Sequence, residues 1–344
     1  RWIKGAGLSS HWPGTLTDFV RKHRERQGSG VLALLQAAHG MASGIEKNLP
    51  AATSKYLNQD TTHMWLSSPF GHPVRNLLAD PPQLLTEQGW RDLLARIERL
   101  LDDLQKLGSP EPPHTANDLD GWWQWREGAI GPKGWLREAF LSTLAETRLP
   151  NNDVTLWDQS YVAAALFKSA VAGAVLAGSD FKGNGGLKQQ TRWRVLTVGF
   201  GTRHYEARAI KIGDWVGAQR DIEKFFEDVR RFIEVDLAVG SLVYRDDETL
   251  AFTFPGERAD GAGGLSDPDA AQLRDAIAQE VDRLAADAKF ETPPLCSLSH
   301  STRSFVPMIR ELRAARDTLA IPVHRNWPIP AEDSDGKSGV RHVC

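Results

Sequence analysis

The sequence predicts an α+β protein, with a mostly helical first half and a second half in which strands and helices alternate. Three observations predict it. Apolar residues recur at three- and four-residue spacing through 31–47 and 85–107. A β-branched and aromatic stretch, "RWRVLTVGFG", then fills 192–201. An amphipathic helix, a hairpin pattern, a second helix and a short apolar stretch follow it in that order.

The first helix is "VLALLQAAHGMASGIEK" (31–47). The second, "LTEQGWRDLLARIERLLDDLQKL" (85–107), ends at Gly108, and Pro110, Pro112 and Pro113 forbid its continuation. "GHPV" (71–74) reads as a loop entry. "DLDGWWQWREG" (118–128) precedes a helix expected around Trp135 to Glu146. A turn at Pro150, Asn151 and Asn152 leads to "TLWDQSYVAAALFKSA" (155–170), for which Asp153 or Thr155 is the expected N-cap.

Four glycines in "AGSDFKGNGGLKQQ" (177–190) mark a linker. After the strand at 192–201, "EARAIKIGD" (206–214) reads as another strand. The helix of 217–237 carries a stripe of Ile222, Phe225, Phe226, Val229, Phe232 and Ile233. "GSLVYRDDETLAFTFPG" (240–256) alternates on both sides of a polar turn and predicts a hairpin. A helix at 267–289 and a strand at 295–301 complete the series. Strand, helix, hairpin, helix, strand is the order of a ferredoxin-like βαββαβ unit.

The bulk numbers narrow the function. A chain of 344 residues can hold two cores, and 41% hydrophobic with 25% charged residues is ordinary for a globular protein. A net charge of −3 leaves nucleic-acid contact to local basic groups. Those are "RKHRER" (21–26), Arg310 with Arg313 and Arg316, and "HRNW" (324–327) with Arg325. The first reads as a solvated helix face. Two cysteines, Cys296 and Cys344, make no disulfide framework and fit a reducing, cytoplasmic setting. No stretch reaches the ~18 consecutive apolar residues of a membrane span; Val162 to Leu176 carries Lys168 and Ser169. The start at Arg1 and the end at Cys344 suggest a piece of something longer.

Two stretches bear on chemistry. The hairpin turn offers Asp246, Asp247 and Glu248, the carboxylates with which palm-type enzymes hold divalent cations against a triphosphate. The first strand supplies no acid; Glu206 and Asp214 are the nearest, so half of such a site is missing. A solvated β-turn is the plainer reading of Asp246-Asp247. In the helical half His39 is followed by Gly40, where a metallophosphohydrolase would need an aspartate. His23, His63 and His72 stand singly.

Taken together these stretches resemble the large subunit of type III CRISPR RNA-guided effector complexes. The resemblance rests on "LLQAAHGMASGIEK", on "GWWQWREG" leading to "LAETRLPNNDVTLWDQSYVAAALFKSA", on "VLTVGFG" through "GSLVYRDDETLAFTFPG", and on the closing "SGVRHVC". It implies a degenerate HD-like helical domain (1–177), a linker (178–190), a ferredoxin-like palm (191–305), and a helix approaching a zinc-binding element (306–344). Gln159, after Asp158, stands where active relatives place a histidine ligand, and Gly40 where they place the aspartate. The nuclease is therefore expected to be inactive, with Gln159 a core-facing residue bonded to Asp158 or His39.

The resemblance further implies a non-catalytic first palm, with Gly199, Gly201, Asp246 and Asp247 as a vestigial pocket for ATP with magnesium. Arg310, Arg313, Arg316 and Arg325 would contact RNA, and Cys344 would be a zinc ligand or a free thiol. The expected partners are a guide CRISPR RNA, target RNA and the other effector subunits, with no membrane. The alternative is a cyclic oligoadenylate synthase using a second palm beyond Cys344.

Overall fold

The computed structural model describes residues 19, 21–23, 28–44, 65–67, 73–107, 119–145, 151–152, 154–178, 186–261 and 263–319. Among them the fold is α+β. Helix α1 (Gly30–Ala42) is followed by strands β1 (Trp65–Ser67) and β2 (Pro73–Asn76). Helices α2 (Glu87–Leu107), α3 (Asp120–Ile130) and α4 (Trp135–Leu141) come next, then strand β3 (Asn151–Asn152) and helix α5 (Leu156–Leu176). A helical turn, α6 (Leu187–Gln190), leads into β4 (Trp193–Gly199), α7 (Thr202–Arg208) and α8 (Ile212–Arg231). Then come β5 (Leu242–Arg245), β6 (Thr249–Pro255), α9 (Asp267–Asp287), β7 (Leu295–Leu298) and α10 (Phe305–Thr318).

The larger sheet runs β5-β6-β4-β7 with every neighbouring pair antiparallel. Trp193 opposes Pro255 and Gly199 opposes Thr249 along β4 and β6. Every residue of β4 and β6 is buried, because both faces are covered. Alternate residues divide between two cores. Trp193, Val195 and Ala251 pack on α1, α5 and Met308 of α10. Leu196, Val198, Leu250, Phe252 and Phe254 pack on α8 and α9, through Phe225, Phe226, Val229, Ile277 and Val281.

Helix α5 fits its sheet face through small and polar groups. A Cβ on Gly173 would stand 2.9 Å from Pro255 Cβ, so glycine permits the close approach. The Ser169 hydroxyl donates to Thr253 Oγ1 at 2.7 Å, and Thr253 Oγ1 donates to the Ala165 carbonyl at 3.0 Å. The Trp193 indole donates to the Leu166 carbonyl at 2.8 Å. At 21 residues α5 is also long and apolar enough to cross a membrane. That exceeds the length read from the sequence, because the helix begins before its apolar run. Here Ser169 faces the sheet, while Lys168 and Tyr161 face Glu234.

The second tie is ionic. Helix α8 passes into a π-helical turn, Phe232–Asp236, and Glu234 within it has a side chain with 0% exposure. Glu234 Oε1 accepts the Leu242 amide at 2.6 Å. Oε2 lies 2.7 Å from Arg126 Nη2 of α3 without hydrogen-bond alignment, so the attraction there is ionic. Arg230 reaches the same oxygen at 3.7 Å, binds Glu127 at 2.5 Å, and lies 4.5 Å over the Trp123 ring. From α5, Lys168 Nζ donates to the Glu234 carbonyl and the Tyr161 hydroxyl donates to Oε1 at 3.5 Å.

Several expectations change. Residues 206–214 form no strand: α7 ends at Arg208 and α8 begins at Ile212, with the Lys211 amide on Asp214 Oδ2 at 3.0 Å. The Trp-rich segment is itself helix α3, anchored by the Trp125 indole on the Leu100 carbonyl of α2 at 2.8 Å. Helix α4 is shorter than expected, ending at Leu141. Residues 73–76 form strand β2 of a three-stranded sheet, order β2-β1-β3, rather than a loop entry. In the smaller sheet β1 pairs locally with β2, but its pairing of Trp65 with Asn151 joins segments far apart in sequence, which no local pattern announces.

Two predictions follow from the ionic tie. Glu234→Ala leaves Arg126, Arg230 and Lys168 with only Glu127 and Glu227 against them in low dielectric, and should cost about 3 kcal/mol in denaturant unfolding. Burial pushes Lys168 down to about 8, against the upward pull of Glu234. The unfolded lysine titrates near ~10.4, so above about pH 8 the unfolded state holds the extra proton and stability rises with pH. Burial raises the Tyr161 hydroxyl, which ends the gain above about pH 10, where the unfolded tyrosine ionises. Between about pH 7.5 and 9.5 the protein should gain roughly 1–2 kcal/mol relative to Lys168→Met in urea titrations.

Candidate functional site

The turn between β5 and β6 lies against the loop that leaves β4. The Phe200 amide donates to the Glu248 carbonyl at 2.8 Å, and Thr202 Oγ1 donates to the Asp247 carbonyl at 2.6 Å. Gly199, Gly201, Asp246 and Asp247 therefore share one end of the sheet. Helix α10 arrives at the same end: a Cβ on Gly199 would stand 2.8 Å from the Leu319 side chain. At Gly201 the nearest atom to an added Cβ is 3.9 Å away, at Thr292.

The Asp246 carboxylate is fully engaged. Oδ1 accepts the Glu248 amide at 3.0 Å, closing the turn on itself. Oδ2 accepts the Tyr244 hydroxyl at 2.9 Å and faces Arg316 Nη1 at 3.4 Å. Burial acts to raise the Asp246 carboxyl, but the Glu248 amide, the Tyr244 hydroxyl and Arg316 outweigh it and hold it below the usual carboxylate range. Asp247 is exposed, and its side chain has no partner among the described residues. Arg203 stands 3.5 Å from Glu248.

This donor set does not fit a pair of divalent cations. Such a site needs several free carboxylates on both strands. One acid is locked by three donors here, and the β4 end offers none. The two acids nearest in sequence are engaged elsewhere, Glu206 with Gln219 at 2.6 Å and Asp214 at the start of α8. Among the described residues no three His, Cys, Asp or Glu side chains gather to hold a metal.

In the helical half, Thr155 and Asp158 form a reciprocal cap at the head of α5. The Asp158 amide donates to Thr155 Oγ1 at 3.2 Å, and the Thr155 amide to Asp158 Oδ2 at 2.9 Å. Gln159 is half-buried, but the expected bond from its side chain to Asp158 or His39 is not formed. Asp158 already serves the cap. The His39 ring meets His23 edge-on at 5.2 Å between centroids. Gly40 is exposed on α1, and a Cβ there would meet nothing within 4 Å.

Of the expected RNA contacts, Arg310 and Arg313 are exposed on α10 without an ion pair among the described residues, whereas Arg316 is paired with Asp246. Arg325, Cys344, His63 and His72 lie outside the described residues. The sequence reading missed the cluster around Glu234. Its signals were Lys168 inside an alanine-rich run and Arg230 beside the apolar stripe of α8.

Comparison with known proteins finds no family model, no curated protein and no solved structure that matches this chain. The open space at Gly40 makes one prediction. Gly40→Ala should raise stability by about 0.5–1 kcal/mol in thermal or urea unfolding, because the helix accepts the methyl group and the unfolded chain loses freedom.

Proposed function

We propose that this chain is a non-catalytic scaffold, the N-terminal portion of a divergent large subunit of a type III CRISPR RNA-guided effector complex. In this reading the α1 and α5 layer is a degenerate HD-like domain, and the β4 to β7 unit is a ferredoxin-like palm. The observation that carries the proposal is the pairing of Asp246 with Arg316. A palm carboxylate is neutralised by an arginine instead of facing a cation, on a strand pair that lacks the second acid.

Two further observations support it. The strand order β5-β6-β4-β7 is that of a βαββαβ unit wound as two interleaved βαβ halves. The polar head of α5 is occupied by capping, which leaves no coordinating group at Asp158. In the scaffold, Arg310 and Arg313 bind the phosphates of the guide or target RNA. Residual ATP contact is confined to Asp247 and the backbone of Gly201, because Gly199 and Phe200 are buried. The complex works in the cytoplasm.

Native purification followed by mass spectrometry and RNA sequencing tests the reading. Small protein subunits and a short RNA of uniform 5′ sequence are expected to co-purify. Arg310→Glu with Arg313→Glu should reduce the RNA at least tenfold while the thermal midpoint stays within a few degrees. A lone protein, or one that cuts single-stranded DNA with Mn²⁺ or Ni²⁺, defeats the proposal.

A further inference from the structure

Helix α2 buries only Gly89 and Leu93, although apolar residues run along most of one side. One flank of that side is held by the rest of the helical half. The Trp125 indole bonds the Leu100 carbonyl, and Arg96 lies 4.4 Å over the Trp135 ring. The other flank is open. The exposed Trp90, Leu94 and Leu101 and the half-buried Ile97 and Leu104 follow one another at spacings of four and three, a continuous seam of the kind that pairs helices. Trp90 is 52% exposed, and Leu94 and Leu101 are each 42% exposed. Single exposed apolar residues are ordinary, but a seam of them marks a contact surface.

We propose that this seam packs against the same seam of a second copy of the chain, antiparallel, about a two-fold axis near residues 95 and 96. The charges beside the seam select that partner and that register. Arg91 and Glu98 stand seven residues apart on the open flank; Arg91 pairs with Glu87 at 2.5 Å with both side chains largely exposed, and Glu98 has no ion pair among the described residues. In the antiparallel register that sets Leu94 on Ile97 of the partner copy and Trp90 on its Leu101, each Arg91 meets the other copy's Glu98. One axis thus makes the same ion pair twice. Sliding by one heptad, with Leu94 on Leu104, would oppose Glu98 to Glu98. A parallel pair would turn Arg91 toward the flank that α3 already covers.

A membrane surface is the poorer occupant. Helix α2 carries five acidic and four basic residues, whereas interfacial helices carry an excess of lysine and arginine. A helix of 21 residues spans about 32 Å. A single pair of that length falls at the small end of specific interfaces, so the dimer should dissociate on the order of 10 µM.

Sedimentation velocity on the 344-residue chain, from about 1 to 100 µM, tests this. The expected result is a shift from 38.1 kDa to twice that mass. Leu94→Glu with Leu101→Glu should abolish the shift with an unchanged circular dichroism melt, since both sites are exposed. Arg91→Glu or Glu98→Arg alone should weaken the dimer roughly tenfold, and the two together should restore it. The proposal is overturned by a chain that stays monomeric throughout, or by a dimer indifferent to the seam variants. A double charge reversal no better than the single ones overturns it too, as does a monomer that instead sediments with anionic lipid vesicles.

Discussion

The carboxylate of Glu234 is the point on which the arrangement of layers depends. A buried carboxylate is costly, and it persists here because donors reach it from α3, α8 and the start of β5. Each donor belongs to a different part of the fold, so Glu234 sets where those parts sit. The π-helical turn belongs to the same device: the extra residue re-aims the chain at the end of α8. Glu127 and Glu227 hold Arg230 from the other side, so the cluster has three carboxylates against Arg126, Arg230 and Lys168. That near balance keeps several charges inside without a lone one.

The sheet imposes a second constraint. Because both faces of β4 and β6 are covered, most polar residues on those strands find partners within the protein, although the buried Thr249 hydroxyl has none. Arg194 does so by donating to the Pro255 and Leu265 carbonyls at 2.8 and 3.0 Å and by pairing with Asp267. Thr253 does so through Ser169 and Ala165. At the end of β4 the backbone turns of Phe200 to Thr202 and Asp246 to Glu248 meet, with Gly199 against Leu319 and Phe200 fully buried. Such an end is where ligands bind in many sheets. In this chain it is closed by its own side chains.

How much of this was legible in the sequence varies with the range of the interaction. The hairpin, most of α8, α9 and a cap at Asp153 or Thr155 were readable because each is specified within about one or two turns of chain, by alternation, an apolar stripe or a capping residue; the structure selects Thr155. The stretch 206–214 misled because Ile210 and Ile212 imitate alternation. Both side chains are in fact more than four-fifths exposed, so no sheet face draws them in. Glu234 was invisible for a different reason. An acid in an amphipathic helix reads as solvated until the helix that buries it, here over sixty residues away in sequence, is in place. For the candidate site, the sequence named the acids of the turn but could not tell a free carboxylate from an occupied one.

That last distinction decides the chemistry. An aspartate becomes a ligand when its lone pairs face an open volume, and a structural group when amides, hydroxyls or guanidinium groups already face them. Asp246 holds an amide, a hydroxyl and a guanidinium; Asp158 holds an amide and a hydroxyl of its own cap. Binding a cation at either would mean breaking those contacts first, and in each case the contacts shape the backbone on which the site would stand. Replacing a neighbouring residue would therefore not restore coordination, because the carboxylate would still be needed to close the turn or cap the helix. Asp246 and Asp158 hold the fold, whereas Asp247, next to Asp246, is exposed and its side chain takes no part in closing the turn.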